Sequence, residues 1–344
     1  MAAHSFDPDA AAGAGSGIYG LPFAPDDARV VVVPVPFEAT TSYGGGTSAG
    51  PAAVFEASKQ VDLFDQETGR PYEAGIAMRP IPRRIVRWNA EAKKLAAPVI
   101  AAGGAVDRTT RKAAAKVNAI SEKMNEWVYA ETRSLLETGK MPVILGGDHS
   151  VPFGAIRAYA AAYPGLGILH LDAHADLRDA YEGFTWSHAS IFHNVMTRLD
   201  NVGRLVQVGV RDLGHAESRM IASSGGRIVT FFDATLAASK EEGTPFARLA
   251  DDIVAALPAD VYLSWDIDGL DPTLCPGTGT PVPGGLSWNE AIGLLRALKR
   301  AGKRIVGLDL CEVSPGETEW DANVGARLLY KMIGYALLTQ TVSS

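Results

Sequence analysis

Short apolar, β-branched runs alternate along the chain with longer segments whose apolar residues recur every three or four positions. The runs are RVVVVPVP (29–36), MPVILGG (141–147), GILHLD (167–172), RLVQVGV (204–210), RIVTFF (227–232), VYLSWDID (261–268) and RIVGLDL (304–310). Their nearly continuous apolar character predicts strands buried on both faces. Segments 112–139, 287–302 and 322–338 carry the helical period, and SWNE, from Ser287 to Glu290, reads as a capping box. Such alternation predicts a mainly parallel sheet covered on both sides, a three-layer α/β/α architecture. Ligands then gather beyond the carboxyl ends of the strands. Residues 1–28, rich in Ala, Gly and Pro, read as an N-terminal arm outside the core, which leaves 29–344 as a single catalytic domain without internal repeats.

Composition narrows the function. A 344-residue chain with 47% hydrophobic residues can bury a large core, and its net charge of -7 argues against a nucleic-acid partner. No run approaches about 18 uncharged apolar residues and the start lacks a secretory pattern, so we expect no membrane association and a cytoplasmic location. Cys275 and Cys311 have no CxxC partner and read as packing thiols.

The chemistry sits where three strands end. GGDHS places His149 after one, DAHAD places Asp172, His174 and Asp176 after the second, and SWDIDGLDP places Asp266 and Asp268 after the third. Alternate residues of an extended segment share a face, so each set can point one way. Four carboxylates crowded with two imidazoles repel one another and raise their own pKa values unless cations are present. Two divalent ions would supply the charge. Carboxylate-rich O/N ligation without thiolate suits Mn(II), Ni(II) or Co(II) better than structural zinc. Two such ions roughly 3.5 Å apart would bridge a water and make it a hydroxide nucleophile near neutral pH, so hydrolysis is the expected reaction. A lone DxH is ordinarily a loop or cap; three motifs at three strand ends are not. His170, His193 and His215 read as ordinary core or surface histidines, and GGDHS lacks the lysine of a phosphate-binding loop.

These motifs, together with CPGTGTPVPGG (275–285), resemble the ureohydrolase family of arginases, agmatinases and guanidinobutyrases from about Val30 onward. The resemblance implies an arginase-like fold and a binuclear centre, with His149 and Asp176 on one ion, His174 and Asp268 on the other, and Asp172 and Asp266 bridging. It also implies Mn2+ as the default metal, a small cationic guanidino substrate and a hexamer or trimer of identical chains. His188, in TWSHAS, matches the histidine that shuttles protons, the alternative being a solvent-facing loop histidine. Glu312, in LDLCEVSP, matches the glutamate that holds the guanidinium, the alternative being a strand-end salt bridge. The catalytic set so implied is His188, Asp176 and Glu312. Asp148 is expected to support its loop and Asp271 to fix the turn before Pro272.

The substrate's tail is a separate matter. Where agmatinases resembling this chain carry an Arg-containing loop, TTSYGGGTSAGP (40–51) has Tyr43, Gly44 and Ser48. DLRDAYEGFTWSHAS (176–190) and GETEWDANVG (316–325) bring Tyr181, Phe184, Trp186 and Trp320 toward the strand ends. Tyr181, Trp186 and Trp320 are expected to wall a small pocket and stack on a flat cation, an attraction of roughly 2 kcal/mol when desolvated. This loop wording is similar to that of guanidine hydrolases, which act on free guanidinium and favour Ni2+. Agmatinase, guanidinobutyrase and biguanide (metformin) hydrolase are the alternatives, as is a noncatalytic partner subunit of such an enzyme. A single-metal deacetylase on the same broad fold would not need Asp268 and His149.

Overall fold

The computed structural model describes residues 6–13 and 15–340. Eight strands form one sheet: Val30–Val35 (β1), Ile76–Met78 (β2), Met141–Gly146 (β3), Leu166–Leu171 (β4), Val202–Val208 (β5), Ile228–Phe231 (β6), Asp260–Asp266 (β7) and Arg304–Cys311 (β8). Their order is β2-β1-β3-β8-β7-β4-β5-β6, and every pairing is parallel. Seven are the apolar runs; β2 is a three-residue edge strand too short to show a pattern.

Burial alternates between faces along each strand. Val30 and Val32 join one core cluster while Val31, Val33 and Val35 join another. In β7, Val261, Leu263 and Trp265 belong to the first cluster and Tyr262 to a third. Two apolar faces need two helical layers, which is the three-layer arrangement. The helices Arg108–Glu137, Trp288–Arg300 and Trp320–Gln340 supply part of that cover. The Ser287 hydroxyl accepts from the Glu290 N–H at 3.3 Å while the Glu290 carboxylate accepts from the Ser287 N–H at 2.9 Å, completing the capping box. No helix among the described residues is long and apolar enough to cross a membrane.

The N-terminal segment departs from the expected free arm. Ile18, Tyr19 and Leu21 are buried in the first cluster. Tyr19 packs 4.8 Å from Tyr330 and donates its hydroxyl to the Ala326 carbonyl at 3.1 Å. Its local composition looks like a linker, yet three of its apolar side chains are buried in the core and Tyr19 reaches the last helix.

Four neighbouring strands, β3, β8, β7 and β4, aim their carboxyl ends at one crevice. Their connecting backbones run close there. A Cβ on Gly147 would stand 2.2 Å from the Phe37 carbonyl oxygen, and one on Gly269 would stand 2.7 Å from the Asp172 nitrogen. Only glycine permits both approaches.

Candidate metal centre and active site

The strand ends deliver the expected donors, by turns rather than by extended backbone. Asp172 Oδ1 accepts from the His174 N–H at 2.6 Å, and Asp266 Oδ1 accepts from the Asp268 N–H at 2.8 Å. These side-chain turns fold each DxH or DxD back on itself. Asp176 takes a left-handed φ of 54°, which re-aims its carboxylate toward His149.

His149 Nδ1 lies 3.0 Å from Asp172 Oδ2 and 3.4 Å from both Asp176 Oδ2 and Asp266 Oδ2. His174 Nδ1 lies 3.3 Å from Asp172 Oδ1 and 3.1 Å from Asp268 Oδ2. Asp172 thus faces both imidazoles, one with each oxygen. Five of the six fall in two groups of metal-ligating type that share Asp172, and Asp266 joins them through His149.

Without cations the charges conflict. Burial, reinforced by neighbouring carboxylates, pushes Asp176, Asp266 and Glu312 well above the usual carboxylate range. Burial also opposes charge on His149, yet hydrogen bonds to Asp172 and Asp266 hold its imidazolium well above normal. His174, likewise against burial, is pushed up to about 12 by Asp268 and Asp172. Burial opposes charge on Asp172 too, yet His170, His149 and His174 beside it hold it well below the usual range, so the site keeps charged imidazoles and protons on part of its carboxylates where cations belong. Oxygen-rich donors with two nitrogens and no thiolate fit a pair of divalent ions.

The supporting contacts fix the donors' orientation. Asp148 accepts from the Ser150 N–H and hydroxyl, and Asp271 from the Thr273 N–H and hydroxyl, so both serve their turns. His149 Nε2 meets the Ser264 hydroxyl at 3.0 Å, and Ser264 donates to Asp309 at 3.1 Å. His170, expected to be an ordinary histidine, has a defined role. The Gln207 amide nitrogen, donating to the Ala175 carbonyl, also meets His170 Nδ1 at 3.0 Å, which leaves the Nε2 proton for Asp172 Oδ2 at 2.8 Å. Burial pushes the His170 pKa down, in keeping with a neutral ring. Its place two residues before Asp172 in β4 was the available signal. Arg211 was also missed: its guanidinium donates to the carbonyls of Gly209, Asp268, Leu270 and Val282, tying the Asp268 turn to the segment 275–285.

Over the donors lies a cavity of about 150 Å³ whose lining includes Glu312, His188, Tyr181, Arg178, Ser42 and Thr280. Glu312, at a left-handed φ of 62°, accepts from the His149 N–H with Oε1 at 2.9 Å. His188 Nδ1 stands 3.2 Å from the Thr40 hydroxyl, and its ring meets Tyr181 edge-on at 6.2 Å. Burial and the nearby His174 push His188 down to about 4. At the mouth the Arg178 guanidinium lies 4.8 Å over the Tyr181 ring and 3.4 Å from Glu217, while Asp212 is exposed.

Of the expected aromatic walls only Tyr181 lines this cavity. Trp186 packs on Phe153 at 4.8 Å and under Arg198, and Phe184 is fully buried in the core. Trp320 is 47% exposed and donates its indole N–H to the Thr273 carbonyl. The reason is loop geometry. Ala180 and Glu182 take left-handed φ of 47° and 55°, which swings Tyr181 in and the residues after it away. Glu38 is a further missed residue: buried, it pairs with Lys93 and accepts from the Ser48 N–H and Thr47 hydroxyl, anchoring the loop that carries Ser42.

The strain at Glu182 is testable. Left-handed backbone costs a non-glycine residue roughly 1–2 kcal/mol, and one Glu182 oxygen is buried without a partner. Glu182→Gly is expected to stabilise the chain by about 1 kcal/mol after glycine's own entropy cost; a lowered thermal midpoint would show that the side chain holds the loop.

Fold and donor set together describe an α/β protein whose strand-end His/Asp cluster suits a pair of divalent ions. The arginase family model matches residues 28–334. The chain is 35% identical to N(1)-aminopropylagmatine ureohydrolase of Thermus thermophilus, over 92% of this chain and 94% of that protein. It is 30% identical to agmatinase of Proteus mirabilis over 92% and 90%. Among solved structures it superposes on agmatine ureohydrolase of Thermoplasma volcanium with a TM-score of 0.71 at 22% identity, covering 96% of this chain and 97% of that one, and on arginase from Bacillus subtilis with a TM-score of 0.63 at 23% identity, covering 89% and 98%. The chain belongs to the arginase family. It is a ureohydrolase, an enzyme that cleaves carbon–nitrogen bonds of guanidino compounds.

Proposed function

We propose that this enzyme hydrolyses free guanidinium to urea and ammonia. The observation that carries the reading is the small cavity over the donors, lined on its exposed side by Arg178 stacked on Tyr181. A cation without a tail fits that space; a diamine-like guanidino compound brings a second positive charge to Arg178.

His149, Asp176 and Asp172 would hold one ion, and His174, Asp268 and Asp172 the other, with Asp266 shared. When bound, the ions supply Lewis acidity and a water whose pKa falls into the neutral range. Mn2+ is the family default and Ni2+ the choice of a guanidine hydrolase.

The chain's own groups do the rest. Glu312 keeps one oxygen on the His149 N–H and offers the other to the substrate's N–H groups. Water adds to the central carbon, one carbon–nitrogen bond breaks, and urea leaves with ammonia. His188, neutral at pH 7 with its Nδ1 beside Thr40, takes a proton released on addition and gives it to the departing nitrogen. His188→Ala should leave the metal content intact and slow turnover roughly 10²- to 10⁴-fold. Unchanged turnover would make His188 a structural residue of its loop.

Agmatine is the second reading, favoured by the exposed Asp212 carboxylate at the mouth. The experiment is a steady-state comparison of guanidine, agmatine, 4-guanidinobutyrate, arginine and metformin on the purified single chain, loaded with Mn2+ or Ni2+. Guanidine should give the highest kcat/KM. Faster agmatine or guanidinobutyrate hydrolysis replaces this reading with the corresponding one, and inactivity on all five overturns it in favour of a larger guanidino compound such as the N(1)-aminopropylagmatine for which a 35% identical relative is named.

A further inference from the structure

At the β2 edge of the sheet, away from the metal donors, lies a second and larger concavity of about 700 Å³. Arg79, Arg83, Arg84 and Arg87 line it together with Trp88 and Trp127, and it shares no residue with the active-site cavity. Arg79 follows β2 directly, its N–H bonded to the Val32 carbonyl at 2.9 Å. The other three arginines occupy the first two turns of the helix Arg83–Ala101, and prolines 80 and 82 stiffen the approach.

Charge is what sets this groove apart. Glu131 pairs with Arg79, and it is the only acid in the lining. Arg83, Arg84 and Arg87 are exposed and make no ion pair among the described residues. A chain of net charge -7 has here gathered three surplus positive charges. Arg83 and Arg87 stand four apart on one helix, where like charges destabilise. Packing does not require guanidiniums in this place, since the side chains lie in solvent rather than in the core.

We propose that the groove binds a small multivalent anion of the phosphate or carboxylate class. Guanidiniums present paired N–H donors that match both oxyanions bidentately. The two indoles give the groove apolar walls that a ring-bearing anion can use. Its volume lies within the roughly 300–1,000 Å³ range of small-ligand sites, and the chain's net charge of -7 argues against a nucleic-acid occupant.

The test is calorimetric titration of the metal-loaded full chain with inorganic phosphate, succinate and adenosine monophosphate, which separate phosphate, carboxylate and ring-bearing ligands while chelating the active-site ions weakly. Saturable binding of at least one probe is expected. It should weaken about tenfold or more in Arg83→Gln/Arg87→Gln, and by less in Arg83→Lys/Arg87→Lys, which keeps charge but loses the fork. Because these side chains are exposed, the variants should keep the wild-type guanidine turnover and a thermal midpoint no lower than wild type, the Gln variant gaining slightly from the lost repulsion. Absence of saturable binding by all three probes, or equal affinity in the Gln variant, overturns the proposal. So does a change of molecular mass by light scattering in the Gln variant, which would make the groove a surface between copies of the chain.

Discussion

Asp172→Asn is expected to lose both metal ions together, with turnover falling by about 10⁴-fold or more, the scale on which members of one catalytic unit act. Asp172 is the residue on which the centre depends: one oxygen faces His149 and His170, the other His174 and its N–H. The asparagine keeps its shape but removes the shared charge. His149→Ala should instead weaken chiefly one ion, because His174, Asp268 and Asp172 still stand together. Elemental analysis distinguishes the two variants, and one metal per chain in active wild-type protein would reject the binuclear assignment. The same charges give a pH signature. The folded-state pKa values of Asp176, Asp266 and Glu312 are raised above those of the unfolded chain, so the metal-free fold holds protons that the unfolded chain gives up. Its stability therefore falls as pH rises from near 4 through the raised values. Ion binding requires these groups deprotonated, so the stabilisation from added Mn2+ or Ni2+ grows as pH rises. The metal-induced rise in thermal midpoint should be larger at pH 8 than at pH 6, and equal rises would contradict this account of the cluster.

The sheet and the convergence of the six side chains were legible because each is written locally. A buried parallel strand is a short apolar run, and GGDHS, DAHAD and SWDIDGLDP each pack their ligands within a few residues of a strand end. What the sequence hid depends on distant partners or on backbone shape. Arg211 acts through four carbonyls as far as Val282, and Glu38 through Lys93, 55 residues away. Tyr19 is buried by a helix at the far end of the chain. The aromatic walls failed for a different reason: composition places Tyr181, Trp186 and Trp320 near the crevice, but left-handed backbone at Ala180 and Glu182 turns Tyr181 inward and Trp186 away, while Trp320, on another segment, is bonded to Thr273. Non-glycine residues give no warning of that conformation. Even the convergence of Asp266 and Asp268 had another cause than expected, a side-chain turn in place of a shared strand face.

Substrate specificity is expected to rest on Arg178, which lines the cavity, rather than on Trp320. Trp320→Ala should leave the substrate profile unchanged, since its indole is bonded to Thr273 outside the cavity. Arg178 lines the cavity, and its guanidinium is fixed between the Tyr181 ring and Glu217, whose carboxylate also accepts from the N–H groups of Leu177 and Gly214. A cationic tail therefore approaches a cation that cannot easily swing aside, whereas guanidinium has no tail to repel. At a partly wet mouth this repulsion is worth about 1 kcal/mol, so Arg178→Met should raise kcat/KM for agmatine relative to guanidine about fivefold. The same change should lower kcat/KM for 4-guanidinobutyrate, whose carboxylate tail the arginine attracts. Asp212→Asn should shift agmatine the opposite way, because it removes the one exposed carboxylate lining the mouth. Both shifts should shrink at high salt, as electrostatic effects at a surface do. If Arg178→Met leaves the ratio of agmatine to guanidinobutyrate turnover unchanged, charge at the mouth does not select the substrate, whichever guanidino compound the wild-type enzyme prefers.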